Sequence, residues 1–174
     1  MSVPGIDFTR LTLQAALDLA ILIEDEARER YEEFAYQMDQ HNTPEAAQFF
    51  RFMADNEARH GTELGKRRHK LFKDAPHTVT RAMLFDVEAP EYDQARAFMT
   101  ARQAMQAALR SEEKAHQFFV AALPQIHDAD VRGLFTELRD EEIVHQELVR
   151  KAMARLPPDA TLDSEDLVDE PNPQ

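Results

Sequence analysis

Two short motifs in the sequence place a carboxylate and an imidazole three residues apart. They are Glu57-x-x-His60 and Glu142-x-x-His145, and each stands in a stretch with helical periodicity. Residues three apart on a helix lie on the same face, about one turn from each other. Apolar residues flank both motifs on that face, so the four side chains are predicted to point into a core. Carboxylate oxygens together with imidazole nitrogens suit iron or manganese.

Two further carboxylates, Glu24 and Glu112, interrupt the apolar stripes of two other predicted helices. Ionised glutamates at the centre of an apolar core are strongly disfavoured by desolvation and mutual repulsion. A pair of divalent cations removes both costs. The known dinuclear carboxylate arrangement in helical bundles uses one Glu from each of two helices and a Glu-x-x-His motif from each of the other two. The alternative is a bundle without metal, in which salt-bridge networks neutralise the carboxylates. We predict two iron ions, with manganese as the other candidate, held by six residues: Glu24, Glu57, His60, Glu112, Glu142 and His145.

The second half of the chain repeats the first at the positions that carry these residues. Glu24 corresponds to Glu112 at an offset of 88, and the two Glu-x-x-His motifs correspond at an offset of 85. The difference of three residues fits within a loop. The repeat also pairs core positions: Ala27 with Ala115, Tyr31 with Phe119, and Phe50 with Phe135.

Four long stretches with helical periodicity are predicted to position the site. Thr43-Pro44 opens the second with a capping hydroxyl and a proline at the first helical position, whereas Pro124 ends the third. Short loops join the first helix to the second and the third to the fourth, which predicts two antiparallel hairpins. Residues 73–90 between the hairpins are long enough for a crossover along the bundle. The predicted fold is all-α, a ferritin-like four-helix bundle with helices over about 11–40, 44–72, 90–123 and 128–156.

The composition restricts the classes of protein to which the chain can belong. With 174 residues it is long enough for one domain, and its 4 Gly argue against a turn-rich all-β fold. The absence of Cys excludes disulfides, thiolate metal ligands and a rubredoxin-type iron centre. A net charge of −13 predicts that nucleic acid is not a partner. No apolar run approaches the roughly 20 residues that a membrane span needs. No secretory signal is visible, so a cytoplasmic location is expected.

Residues 157–174 differ in composition from the rest of the chain. They contain six acidic residues, four prolines and no basic residue. Such a segment buries too little apolar surface to offset the entropy lost on ordering. We therefore expect one domain over residues 1–156 and an acidic disordered tail over 157–174.

Tyr31 and two residues of the third helix are further candidates for the site. Tyr31 lies two turns after Glu24 and is predicted to hydrogen-bond a ligand carboxylate across the bundle, which makes it our candidate catalytic residue. A core tyrosine without a role is the alternative. Glu113-x-x-His116 is a third motif of the same spacing, but Glu112 is preferred to Glu113 because it matches Glu24 in the repeat. His116 is either an additional ligand or a histidine at the edge of the core.

With these motifs the chain resembles the rubrerythrin branch of the ferritin-like superfamily. The phrase Glu24-x-x-Ala27-x-x-x-Tyr31 resembles the first helix of that family, and residues 50–60 and 135–145 resemble its two Glu-x-x-His helices. The resemblance implies a non-haem di-iron centre that reacts with hydrogen peroxide or dioxygen, with the six residues named above as its ligands.

The resemblance covers about residues 11–155, and the sequence departs from the family in two respects. Ala115 stands where members often carry an additional Glu, so the site resembles a six-ligand ferritin-type centre. Rubrerythrins proper carry a rubredoxin domain, so a chain without Cys implies an external electron-donor protein. The function expected first is the reduction of hydrogen peroxide, which implies a role in oxidative stress. The protein is expected to be a homodimer. The alternatives are an iron-handling ferroxidase and, third, a di-iron oxygenase that acts on an apolar substrate.

Overall fold

Four long helices account for most of the described chain. The computed structural model describes residues 6–81 and 100–157, and these contain no strand, so the all-α prediction is confirmed. The helices are α1 Leu13–Gln40, α2 Pro44–Phe72, α3 Ala101–Ala122 and α4 Ala129–Met153. One turn of 3-10 helix, Phe8–Arg10, precedes α1, and another, Leu123–Gln125, follows α3.

Capping residues in the sequence explain where the helices begin. The hydroxyl of Thr12 accepts from the backbone N–H of Ala15 at the start of α1, and Asp128 accepts from the first turn of α4. Thr43 occupies the predicted cap position of α2, but the predicted capping bond is wrong. The Thr43 hydroxyl instead donates to the carbonyl of Met38 (2.9 Å), and so joins the end of α1 to the start of α2.

The turn between α1 and α2 is closed by backbone hydrogen bonds. Asn42 has φ 54°, in the left-handed region. The N–H groups of Asn42 and Thr43 donate to the carbonyls of Asp39 and Met38. In this Schellman arrangement, a residue of positive φ ends a helix and satisfies its last carbonyls. The chain therefore reverses over residues 41–43, and α1 and α2 form the predicted hairpin.

Helix α3 begins later than its periodicity predicts. Thr100 has an extended backbone (ψ 159°) and forms a capping box with Gln103, in which each side chain accepts from the backbone N–H of the other residue. The helix therefore begins at Ala101, and the prediction of one continuous helix over 90–123 is wrong at Thr100. Residues 82–99 lie outside the described residues.

The connection between the hairpins is anchored where it leaves α2. Asp18 on α1 is buried, forms an ion pair with Arg68 of α2, and accepts from the backbone N–H of Thr78 at 2.8 Å. Arg68 also donates to the carbonyl of Ala75 at 2.8 Å. Because these hydrogen bonds satisfy both charged groups, the buried pair holds the first residues of the connection against α1 and α2.

Two apolar clusters fill the bundle. One includes Leu17 and Phe135, and the other includes Phe34, Phe50 and Met105. Burial of such side chains stabilises the fold by roughly 25 cal/mol per Å² of apolar surface. Along every helix a short stretch with buried ionisable residues separates the residues of one cluster from those of the other. The predicted metal ligands lie in these four stretches.

The sequence predicts no membrane span and an acidic tail after residue 156. None of the helices in the described ranges has both the length and the apolar character that a membrane crossing requires. Of the predicted acidic tail, only Pro157 belongs to the described residues, and the rest lies outside them.

Candidate metal centre

Every helix contributes at least one ionisable side chain to a layer between the two apolar clusters. Five of the six predicted ligands are buried, and the sixth, His60, has a side chain that is 24% exposed. The structure brings all six together. We call them the polar layer: Glu24 on α1, Glu57 and His60 on α2, Glu112 on α3, and Glu142 and His145 on α4.

Three overlapping groups of side chains have ligand atoms close enough to hold a metal ion. Within each group, one ligand atom from every residue lies within 4.8 Å of the others. The groups are Glu112–Glu142–His145, Glu57–His60–His145 and Glu24–His60–Glu141.

Glu57 lies between the two imidazoles. Its Oε1 is 3.3 Å from Nδ1 of His145, and its Oε2 is 3.9 Å from Nδ1 of His60. Oε2 of Glu112 is 3.4 Å from Nδ1 of His145, and Oε2 of Glu24 is 3.8 Å from Nδ1 of His60. Glu57 is therefore placed to serve both halves of a dinuclear site, while Glu24 and Glu112 each serve one half.

Burial and mutual contacts set the protonation of the polar layer. Burial raises the pKa of Glu24 to about 7. Burial also acts to raise the pKa of Glu112, but hydrogen bonds with His145 and Glu142 outweigh it, so this pKa is lowered. Burial acts to lower the pKa of His145, but the contact with Glu112 outweighs it and the pKa is raised. Burial, with the charge of His145, lowers the pKa of His60. Glu24 and His145 therefore hold protons near neutral pH, and a cation bound in the polar layer would displace them.

Tyr31 connects the two hairpins through the polar layer. Its side chain is buried, and its phenolic hydroxyl donates to Oε1 of Glu112. Burial and the charge of Glu112 raise the pKa of Tyr31 well above its ordinary value, so the phenol keeps its proton at neutral pH. Phe119, the equivalent residue in the repeat, is buried and has no hydroxyl. This hydrogen bond therefore exists in only one half of the repeat.

The third Glu-x-x-His motif lies outside the polar layer. His116 is half-buried and belongs to none of the metal-binding groups found in residues 6–81 and 100–157. Glu113 forms an ion pair with Arg150 at 2.8 Å on the surface. Glu112, not Glu113, faces the layer, as the repeat predicts.

Glu141 is a residue of the site that our sequence reasoning missed. It is half-buried on α4, and it forms a group with Glu24 and His60. Its position four residues before His145 was an available signal, because such residues share a helix face. The repeat does not indicate Glu141 as a ligand, because the equivalent residue on α2 is the neutral Asn56.

A cavity of about 200 Å³ opens between α2 and α4 and reaches His60. Glu141 lies in its wall beside three leucines, and Arg67 donates to Glu137 at 3.0 Å within the same wall. Glu63 adds a further carboxylate. One half of the polar layer therefore faces a charged opening.

Fold and site together define the class of protein, a ferritin-like four-helix bundle with a centre of carboxylates and histidines. A family model described as Rubrerythrin matches residues 15–153, and the chain belongs to the rubrerythrin family. A crystal structure of an uncharacterized conserved protein from Magnetospirillum magnetotacticum MS-1 is similar to the chain, with a TM-score of 0.72 and 28% identity. That match covers 86% of this chain and 99% of the other. Comparison with curated proteins finds no match.

The residues of the polar layer fit a bound metal. Membership of the family implies that the chain binds iron. Nδ1 of His60 is a buried atom with no hydrogen-bond partner in the described part of the chain. A cation beside it would supply that partner and neutralise the surrounding carboxylates. Donor atoms that are all oxygen and nitrogen suit iron or manganese.

Proposed function

We propose that this chain is a di-iron protein that reduces hydrogen peroxide to water with electrons from an external donor protein. The observation that carries the proposal is the convergence of four carboxylates and two imidazoles, from all four helices, around Glu57. The six residues of the polar layer would hold two iron ions, with manganese as the other candidate. When bound, two ferrous ions supply the two electrons that, with two protons, convert one hydrogen peroxide to two waters.

The protein side chains orient the centre and hold protons. Glu57 contacts both imidazoles and so fixes the spacing between the two halves. Tyr31 positions Glu112 and keeps a proton on its phenolic oxygen, and its catalytic role stays a prediction. The apolar clusters on either side of the layer exclude water, while the cavity at His60 admits small solutes.

The proposal places the electron donor outside the residues of this chain. The chain has no Cys, so it cannot carry a rubredoxin-type iron centre. An external donor protein is therefore part of the proposal. The homodimer, the cytoplasmic location and the role in oxidative stress stay predictions.

The test compares two oxidants. Protein loaded anaerobically with Fe²⁺ is mixed in a stopped-flow spectrometer with stoichiometric hydrogen peroxide or with dioxygen at air level. We expect faster oxidation by peroxide, retention of the iron, and renewed reduction by an external donor. Glu147→Gln, at an exposed glutamate of α4, serves as the control and should behave as the wild type.

Ferroxidase activity is the second candidate, and the charged cavity favours it. Glu63, Glu137 and Glu141 line the opening that reaches His60, and such an opening attracts cations. Faster oxidation by dioxygen, followed by loss of Fe³⁺ from the protein, would make iron handling the better assignment.

An oxygenase acting on an apolar substrate receives no support from this cavity. A large cavity lined by phenylalanine would favour that function. The cavity at His60 measures about 200 Å³, and charged side chains and leucines form its described wall.

A further inference from the structure

The two halves of the polar layer differ by one carboxylate. Glu141 adds a carboxylate to the half that contains His60, whereas the equivalent residue in the repeat is Asn56. Asn56 is buried and accepts a hydrogen bond from Arg59 on its own helix. The two halves of the repeat therefore differ at this position, where α4 carries the charged Glu141 in the half of the layer that faces the cavity.

Two observations point to a ligand at this half. An oxygen of Glu141 lies within 4.8 Å of ligand atoms of both Glu24 and His60. Nδ1 of His60 is buried without a hydrogen-bond partner in the described ranges, and the nearest oxygens of Glu24 and Glu57 are 3.8 and 3.9 Å away. These distances exceed those of hydrogen bonds, and a cation between the groups would satisfy all of them.

We propose that Glu141 is a seventh metal-binding residue of this chain. It binds a divalent cation together with Glu24 and His60, at the half of the centre that faces the cavity between α2 and α4. The inference rests on the proposed di-iron function and deepens it. Two carboxylate oxygens and one imidazole nitrogen form a donor set that suits Fe²⁺ or Mn²⁺. The chain thus gives its more open half an additional anionic ligand.

Glu137 provides a matched control because it is a glutamate of the same helix and of the same cavity wall as Glu141. It lies one turn earlier on α4 and lines the same cavity. Its side chain is 61% exposed and pairs with Arg67 at 3.0 Å. Among the described residues, no metal-binding group includes it. Substitution of either glutamate removes one negative charge from the cavity, but only Glu141 is placed as a ligand.

The experiment measures metal binding by the full-length protein, not its activity. Metal-free wild type, Glu141→Gln and Glu137→Gln are titrated anaerobically with Fe²⁺ in a calorimeter. Parallel titrations with Co²⁺ follow the ligand-field absorption that reports coordination. We expect two tight sites in the wild type and in Glu137→Gln. In Glu141→Gln one site should remain tight, and the other should weaken by roughly tenfold or more. Far-UV circular dichroism checks that each variant is folded.

Glu141→Asp gives a second variant that keeps the charge but shortens the side chain by one methylene, and the same site should weaken to a smaller extent. Two tight sites in Glu141→Gln would overturn the assignment while leaving the proposed function intact. Equal weakening in Glu141→Gln and Glu137→Gln would also overturn it, because the cation would then respond to the charge of the cavity alone. Wild-type protein that binds no Fe²⁺ would instead reject the proposed function.

Discussion

The imidazole rings of His60 and His145 lie face to face, with centroids 5.4 Å apart and planes at 9° to each other. The two histidines occupy equivalent positions in the sequence repeat, one on α2 and one on α4. The repeat is therefore visible in the site as an approximate two-fold relation. The relation is incomplete, because the His60 side chain is 24% exposed and that of His145 is 6% exposed. One half of the centre is open and the other is closed.

Loss of two carboxylates is expected to abolish tight metal binding. Anaerobic Fe²⁺ titration of the wild type should saturate at two ions per chain. Glu57→Gln combined with Glu142→Gln should weaken both sites by about 100-fold or more, because Glu57 contacts both imidazoles and Glu142 belongs to the closed half. Glu147→Gln, whose exposed carboxylate pairs with Lys151 at 3.4 Å, should bind as the wild type does. A wild type that binds no better than the double variant would contradict the metal centre.

Metal-free protein should lose stability as pH rises from about 5 to about 8. The folded pKa of Glu24, about 7, lies above its ordinary value of 4.5. The stabilising contribution of its proton is therefore fully present below the ordinary value and is lost as pH rises through the folded one. The raised pKa of His145 acts in the same direction, whereas the lowered pKa of His60 acts in the opposite direction and offsets part of the loss. Glu24 alone corresponds to a loss on the order of 3 kcal/mol.

Urea unfolding at the two pH values measures this loss. Glu24→Gln, which is neutral at both, should show a much smaller fall in the free energy of unfolding. Glu33→Gln, at an exposed position of the same helix, should keep the full fall. A wild-type free energy that stays constant or increases with pH would contradict the protonation assigned to Glu24.

Tyr31→Phe should destabilise the metal-free protein by about 1–3 kcal/mol. The substitution removes a buried hydroxyl that donates to the carboxylate of Glu112, and that acceptor stays buried. Tyr36→Phe, on the same helix but 65% exposed, is the matched control and should be almost neutral. Urea denaturation at neutral pH compares the two variants. Equal effects would show that the hydrogen bond across the hairpins contributes little.

Arg68→Met should destabilise the protein far more than Arg67→Met. Arg68 is the buried partner of Asp18, and its loss leaves an uncompensated carboxylate, at a cost of about 3–5 kcal/mol. The neighbouring Arg67 pairs with an exposed Glu137, and such pairs contribute about 1 kcal/mol or less. The difference in free energy of unfolding between the two variants measures how much more the buried ion pair of Arg68 stabilises the protein than the exposed pair of Arg67. Similar values for both variants would contradict a stabilising role of the buried pair.

The sequence by itself determined the four long helices of the described residues, their pairing into hairpins and the face of each helix that carries a residue of the polar layer. These features depend on local rules. A period of 3.6 residues assigns Glu24 and Glu112 to apolar faces, and the spacing of three keeps Glu57 and His60 on one face. Buried charges of this kind are tolerated only beside compensating groups, so their convergence followed from the pattern.

Only the tertiary structure decided what depends on distances between helices. The spacing within α4 places Glu141 on the same helix face as His145, but only the packing of the helices brings it close to Glu24 and His60. The ion pair of Asp18 with Arg68 likewise joins residues 50 positions apart. Interactions between elements depend on how the elements pack, whereas a sequence pattern reports only the neighbours along one element.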